Sequence, residues 1–157
     1  MKVSESVARD FLALPRLAVV GASDDPKKFG NTIYKELKAA GLDVVPVNSR
    51  GVVVEGDPSF VRLADVPARV DGVIVMVKAD AAADVVQECV DLGIPNVWLF
   101  KGAGTGAVSE GAVELARRHG LRLVAGACPL MFLEPAAWIH RAHRTLRRLG
   151  GSLEKAA

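Results

Sequence analysis

Short apolar runs rich in β-branched residues return along the chain at intervals of about 25 residues, a period that few folds accommodate. The runs predict strands at 17–21, 43–47, 72–77, 96–100 and 121–125. Between them, apolar residues at helical spacing predict helices at 31–41, 79–93 and 109–120. Strands that alternate with helices pair in parallel, with right-handed crossovers and helices on both faces of the sheet. The sequence therefore predicts an α/β fold with an open parallel sheet of five to six strands.

Other segments are predicted to flank this sheet. Residues 6–14 have a helical pattern ahead of the first strand, and residues 135–149 have the pattern of a closing helix. The stretch 50–66 is ambiguous, with room for a short edge strand followed by a single helical turn. Because no linker divides the chain, we expect one domain over residues 1–157, with its core at about 10–130.

Composition excludes several classes of protein. Lysine and arginine number 20 against 18 aspartates and glutamates, and a net charge of +2 does not argue for nucleic acid or an anionic membrane as partner. No apolar run reaches the roughly 18–20 residues that a membrane helix needs, and the start of the chain lacks the apolar segment of a secretory signal. We therefore expect a cytoplasmic protein. Cys89 and Cys128 form no CxxC motif and suggest neither a disulfide framework nor a zinc site.

The loop after the first predicted strand is a candidate site, because ligands of an open parallel sheet bind beyond the carboxyl ends of its strands. Glycine there permits a tight turn and a close backbone approach, and the start of the following helix offers free N–H groups to a phosphate. The loop is not a GxGxxG dinucleotide motif, and an ordinary turn with solvated lysines has the same pattern. Its candidate residues are Gly21, Ala22, Ser23, Lys28, Gly30 and Asn31.

The loop after the second predicted strand discriminates between cofactors. An NAD site usually has an acidic residue at the end of this strand, where it binds the ribose hydroxyls. This chain has Asn48, Ser49 and Arg50 there, which donate hydrogen bonds and include one cation. Such side chains suit a phosphorylated ribose, which leaves NADP or coenzyme A (CoA) as ligand. The alternative for Arg50 is a surface arginine in a turn.

Several motifs follow one another in the order of a known family. They read VVGASDDPKKFGNTIYKEL, GLDVVPVN, VDGVIVMVKADAAADVV, WLFKGAG and GACP. Together they resemble the small single-domain CoA-binding proteins. More distantly they resemble the CoA-binding module of succinyl-CoA synthetase α-subunits and of related acyl-CoA synthetases. The likeness covers residues 10–130, which is most of the chain.

The resemblance implies a Rossmann-like domain that holds CoA in an extended groove. The turn at 21–23 would meet the diphosphate with added charge from Lys28, and residues 48–50 would lie near the adenosine and its 3′-phosphate. The end of the strand 72–77 would line the groove through Val75, Met76, Val77 and Lys78. Family members often have a Phe-Arg pair at the last two of these positions; lysine keeps the charge but lacks the planar guanidinium.

The resemblance also bears on catalysis. The related synthetases use a phosphorylated histidine in a second domain together with a nucleotide-grasp partner, and we find neither pattern in this sequence. His119, His140 and His143 fall on no candidate ligand loop. We therefore expect binding of CoA or an acyl-CoA without catalysis. The alternatives are an NADP-dependent oxidoreductase or redox sensor, and a ligase subunit that needs a second chain.

Three further features keep two interpretations each. The loop 101–106 is either a second phosphate-binding loop that includes Lys101 or a flexible connection. Cys128 either forms a mixed disulfide with the thiol of CoA or senses oxidation, or it is simply a small buried side chain. The helix 135–149 is either a packed terminal helix with a solvated basic face or a contact for a protein partner, RNA or a second copy of the chain. Its lack of interleaved aromatic residues gives no support to binding of single-stranded nucleic acid.

Overall fold

The computed structural model describes residues 3–104 and 106–133. Its helices are α1 (Glu5–Leu12), α2 (Phe29–Ala39), α3 (Ala79–Asp91) and α4 (Glu110–Arg118). Its strands are β1 (Leu17–Val20), β2 (Val44–Val47), β3 (Val53–Val54), β4 (Asp57–Pro58), β5 (Gly72–Val75), β6 (Asn96–Phe100) and β7 (Arg122–Ala127). The predicted helix 135–149, with His140 and His143, lies outside the described residues.

Five of the strands form one parallel sheet in the order β2–β1–β5–β6–β7. In this sheet Val20 of β1 is in register with Val47 on one side and with Val75 on the other, so the carboxyl ends of three strands are level. The predicted α/β class and the parallel sheet are confirmed, and the chain has a Rossmann-like fold.

Helices cover both faces of the sheet because successive residues of each strand point to opposite sides. Val73 and Val75 of β5 pack with α3 and α4, whereas Ile74 between them packs with α1 and α2. The second face also contains Trp98, which is fully buried, donates its indole N–H to the Ala127 carbonyl at 2.9 Å and meets the ring of Phe11 edge-on. Burying a large apolar side chain of this kind stabilises the fold by about 1.5–3 kcal/mol.

The ambiguous stretch 50–66 forms a small antiparallel hairpin rather than a strand of the main sheet. Strands β3 and β4 pair with each other and are joined by a two-residue turn at Glu55–Gly56. The predicted helical turn is present as a 3₁₀ turn at Leu63–Asp65. Between the two, Phe60 forms an isolated parallel bridge with Val47 at the edge of the sheet. The hairpin escaped sequence analysis because Glu-Gly is not the Asn-Gly or Asp-Gly pair that signals such turns.

The strand order positions the site. From β1 the chain passes first to β2 on one side and later to β5 on the other, so a crevice opens between the loops that follow β1 and β5. Two predicted boundaries differ at this crevice: α2 begins at Phe29, and β5 ends at Val75. The shorter β5 adds two residues to the loop that follows it, whereas the earlier start of α2 takes two residues from the loop after β1. Within the described part of the chain, no helix is long and apolar enough to cross a membrane.

Candidate ligand-binding cleft

A cleft of about 530 Å³ lies at the carboxyl ends of β1, β5 and β6. Its walls are the loops that follow these three strands, together with the start of α2. The strand order brings these segments together although they are about 80 residues apart in sequence. The lining residues are Gly21, Ser23, Lys27, Lys28, Phe29, Gly30, Met76, Val77, Lys78, Phe100, Gly102, Ala103, Gly104 and Gly106.

All the charged residues that line the cleft are positively charged. Lys27, Lys28 and Lys78 contribute cations, and no aspartate or glutamate lines the cleft. In residues 3–104 and 106–133, none of the three lysines forms an ion pair with a carboxylate. Since the whole sequence carries a net charge of only +2, this is a local concentration of positive charge. Such a concavity attracts anionic ligands.

Two glycines allow the turn after β1 to approach its neighbours. Gly21 has φ +95°, and a Cβ there would lie 2.9 Å from the carbonyl carbon of Met76. A Cβ on Gly30 would collide with the carbonyl oxygen of Gly21, so the first turn of α2 rests directly on the loop. The N–H groups of Phe29 and Gly30 have no acceptor among the described residues. Free donors at a helix start adjoining a glycine turn are suited to phosphate oxygens.

Two asparagines orient the peptide groups of the same turn. Asn48 Nδ2 donates to the carbonyl of Ala22 at 2.7 Å, and Asn31 Nδ2 donates to the carbonyl of Ser23 at 2.9 Å. In a trans peptide the N–H points opposite to the C=O, so the amides of Ser23 and Asp24 point away from these asparagines. Neither amide has an acceptor in the part of the chain that the structure describes. Two successive free amides of this kind can bind an anion.

An aromatic pair forms the apolar wall of the cleft. Phe29 is 59% exposed and lies against Phe100, with ring centroids 5.8 Å apart and an interplanar angle of 42°. Gly102 lies so close to the Phe100 ring that an added Cβ would be 3.0 Å from it. Sequence analysis did not single out Phe29, because one aromatic residue in a polar loop has no periodicity. Its position next to the helix start is the only signal that was available.

The predicted site residues fall into three groups. Those that line the cleft are Gly21, Ser23, Lys28, Gly30, Met76, Val77 and Lys78. Those that are buried behind it are Ala22, Asn31 and Val75. Those of the second loop lie outside the lining and are Asn48, Ser49 and Arg50. The second loop nevertheless contacts the loop after β1, through the hydrogen bond from Asn48 to Ala22 and through an ion pair between Arg50 and Asp24 at 2.8 Å.

The features that sequence analysis left open also have positions. The loop after β6 lines the cleft through four of its residues, whereas Lys101 at its start is exposed and outside the lining. Cys128 is half-buried against the α1–α2 face and does not line the cleft. Cys89 is fully buried, and burial raises the pKa of its thiol to about 12. His119 is exposed at the C-terminal end of α4. This end of the helix lies at the amino ends of the strands, on the side of the sheet opposite the cleft. Among the described side chains, no group of three or more His, Cys, Asp or Glu is arranged to hold a metal ion.

A Rossmann-like sheet with a cationic, amide-lined crevice at its strand reversal is typical of proteins that bind anionic cofactors. Residues 15–134 match the family described as CoA binding domain, and the chain therefore belongs to that family. The resemblance seen in the sequence motifs is confirmed.

Relatives differ greatly in length. The chain is 34% identical over 128 residues to the ADP-forming acetate–CoA ligase II subunit alpha of Pyrococcus furiosus, an alignment that covers 76% of this chain and 28% of the relative. It is 26% identical to the uncharacterized protein YneT of Bacillus subtilis, covering 72% of this chain and 81% of that one. A hypothetical protein of Pyrococcus horikoshii has a similar solved structure, with a TM-score of 0.75, 27% identity and coverage of 83% and 89%. The chain thus spans little more than a quarter of the ligase subunit.

Proposed function

We propose that this chain binds CoA or an acyl-CoA in the cleft between the loops after β1, β5 and β6. The observation that carries the proposal is that three lysines without carboxylate partners in the described structure surround a turn with free amides, in a member of the CoA binding domain family. CoA contains a diphosphate and a 3′-phosphate, so it needs this kind of concentrated positive charge. Its pantetheine arm is long and uncharged, with apolar methylene and methyl groups around its two amides, and it needs a wall that is not charged.

In the proposed complex the diphosphate lies on the glycine turn. The amides of Ser23, Asp24, Phe29 and Gly30 supply hydrogen bonds, and Lys28 and the other two lysines of the cleft supply charge. The pantetheine arm or an acyl group covers the exposed ring of Phe29, which otherwise costs free energy in contact with water. Asn48, Ser49 and Arg50 lie at the adenosine end, with Arg50 as the cation for the 3′-phosphate.

We further propose that this chain acts as a single domain that contributes binding and not a reaction. The residues that line the cleft are suited to holding a polyanion through amides and lysines. Relatives named as ligases are longer, and this chain aligns with 28% of the ligase subunit at 34% identity. That likeness favours a second candidate function, in which the chain supplies CoA to a partner protein that completes a ligase.

Isothermal titration calorimetry with CoA, dephospho-CoA and NADP tests the proposal. We expect CoA to bind, and Lys28→Ala and Lys78→Ala each to weaken it about threefold to tenfold, as expected for partly exposed charge contacts. Lys35→Ala is the matched control, because Lys35 is an exposed lysine of α2 that does not line the cleft. Its affinity should equal that of the wild type. Binding of NADP but not of CoA would contradict the proposal and favour an oxidoreductase.

A further inference from the structure

The backbone of Glu55 has a conformation that glutamate rarely adopts. Its φ is +48°, and it is the one residue other than glycine with positive φ among the described residues. With Gly56 at φ +84° it forms the two-residue turn between β3 and β4, a turn type in which asparagine or glycine normally fills the first position. A side chain held in this region persists only when its surroundings hold it there, and such strain is concentrated near functional sites.

Contacts with α2 hold Glu55 in place. Its Oε1 accepts a hydrogen bond from Asn31 Nδ2 at 2.9 Å, and its carbonyl accepts one from Lys38 Nζ at 2.9 Å. Two residues further on, Asp57 accepts from Tyr34 Oη at 2.6 Å and pairs with Lys38 Nζ at 2.7 Å. The hairpin is therefore fastened along α2, with the Glu55 carboxylate nearest to the cleft end of the helix.

Asn31 connects this hairpin to the cleft. Its side chain is buried, with 3% exposure, and the two hydrogens of its Nδ2 go to the Ser23 carbonyl and to the Glu55 carboxylate. Both acceptors are oxygens. If the side-chain amide of Asn31 were rotated by 180°, its own oxygen would face the Ser23 carbonyl and the Glu55 carboxylate, which cannot donate hydrogen bonds. Glu55 thereby fixes the orientation of Asn31. Asn31 in turn fixes the peptide group between Ser23 and Asp24.

We propose that Glu55 is a positioning residue of the cleft, which acts through Asn31 to aim the free amide of Asp24 at the ligand. Glycine or asparagine at position 55 would suit the turn better but would not extend as far as Asn31. The strained glutamate is thus explained by what its carboxylate holds and not by the turn. The identity of the ligand in this inference rests on the proposed function. The coupling between the β3–β4 turn and the loop after β1 does not.

Two substitutions separate the turn from the contact. Glu55→Gly relieves the backbone strain and removes the contact with Asn31. Glu55→Gln keeps an oxygen acceptor at the same reach and removes only the charge. We expect Glu55→Gly to weaken CoA at least threefold without lowering the thermal midpoint, and Glu55→Gln to bind as the wild type does. A merely structural role would lower stability and affinity together.

The coupling itself is measured without ligand, from the backbone amide NMR signals of Ser23 and Asp24. We expect both to shift in Glu55→Gly and to stay in place in Glu55→Gln, although position 55 is distant in sequence. Unchanged signals in Glu55→Gly would overturn the inference. It would also be overturned if Glu55→Gln bound CoA as weakly as Glu55→Gly does. If Glu55→Gly shifts these signals but the wild-type protein does not bind CoA, the positioning role is supported and the proposed function is overturned.

Discussion

Arg50 Nη2 lies 2.8 Å from Asp24 Oδ1, so the cation predicted at the second loop is paired with a carboxylate of the first. Both side chains are partly exposed, at 61% and 41%, and a pair of this kind contributes at most about 1 kcal/mol. The pair nevertheless has a consequence for the ligand. If Arg50 binds the 3′-phosphate of CoA, the phosphate competes with Asp24 for the same guanidinium.

We therefore expect Asp24→Asn to strengthen CoA binding by up to about fivefold, because the arginine is no longer neutralised by a neighbour. Dephospho-CoA lacks the 3′-phosphate and should gain much less. Arg50→Ala should have the opposite effect and weaken CoA more than dephospho-CoA. Calorimetric titration of each variant and of the wild type with CoA and with dephospho-CoA gives the ratio of the two affinities.

Asp80→Asn is the control for a general change of charge, since Asp80 is an exposed residue in the first turn of α3 and does not line the cleft. It should leave the ratio of the two affinities at the wild-type value. Equal gains for CoA and dephospho-CoA in Asp24→Asn would remove the pair from any role in recognising the 3′-phosphate.

Gly30 should not tolerate a side chain, because its Cβ would collide with the carbonyl oxygen of Gly21. We expect Gly30→Ala to lower the free energy of unfolding by about 1–3 kcal/mol, the usual cost of overpacking. Urea denaturation measures this change. In α4, Gly111 has open space around the position of a Cβ, so Gly111→Ala should raise the same quantity by about 0.5–1 kcal/mol. Equal effects of the two substitutions would contradict the close packing of α2 on the loop.

The contacts of Asp57 in β4 with Lys38 and Tyr34 of α2 should make the free energy of unfolding depend on pH in the acid range. Hydrogen bonds from Lys38 and from Tyr34 hold the pKa of Asp57 below its ordinary value. A carboxyl whose pKa is lower in the folded chain stabilises the fold above its unfolded pKa of about 4 and ceases to do so as the pH falls through its folded pKa. Between pH 5 and pH 2, urea denaturation should therefore show a larger loss for the wild type than for Asp57→Asn. Parallel losses would show that this carboxylate does not contribute.

Some parts of the cleft were accessible to sequence analysis and others were not. Gly21, Ser23 and Lys28 were identified because a glycine turn after a buried strand obeys a local rule. Phe29 was missed because its exposed ring follows no period. The partners of Asn31 could not be anticipated, because a side-chain amide donates to whichever carbonyl the fold brings near it.

Periodicity along the chain was enough to determine the α/β class, the parallel sheet and the edge of the sheet where a ligand would bind, because these depend on local residue patterns and on general rules of chain crossover. Only the tertiary structure decided which loops share one cleft. The order β2–β1–β5–β6–β7 brings Gly21, Met76 and Gly102 together and leaves Arg50 at the side, paired with Asp24. Strand order is set by packing of the whole chain, so pairings such as Glu55 with Asn31 appear only when the chain has folded.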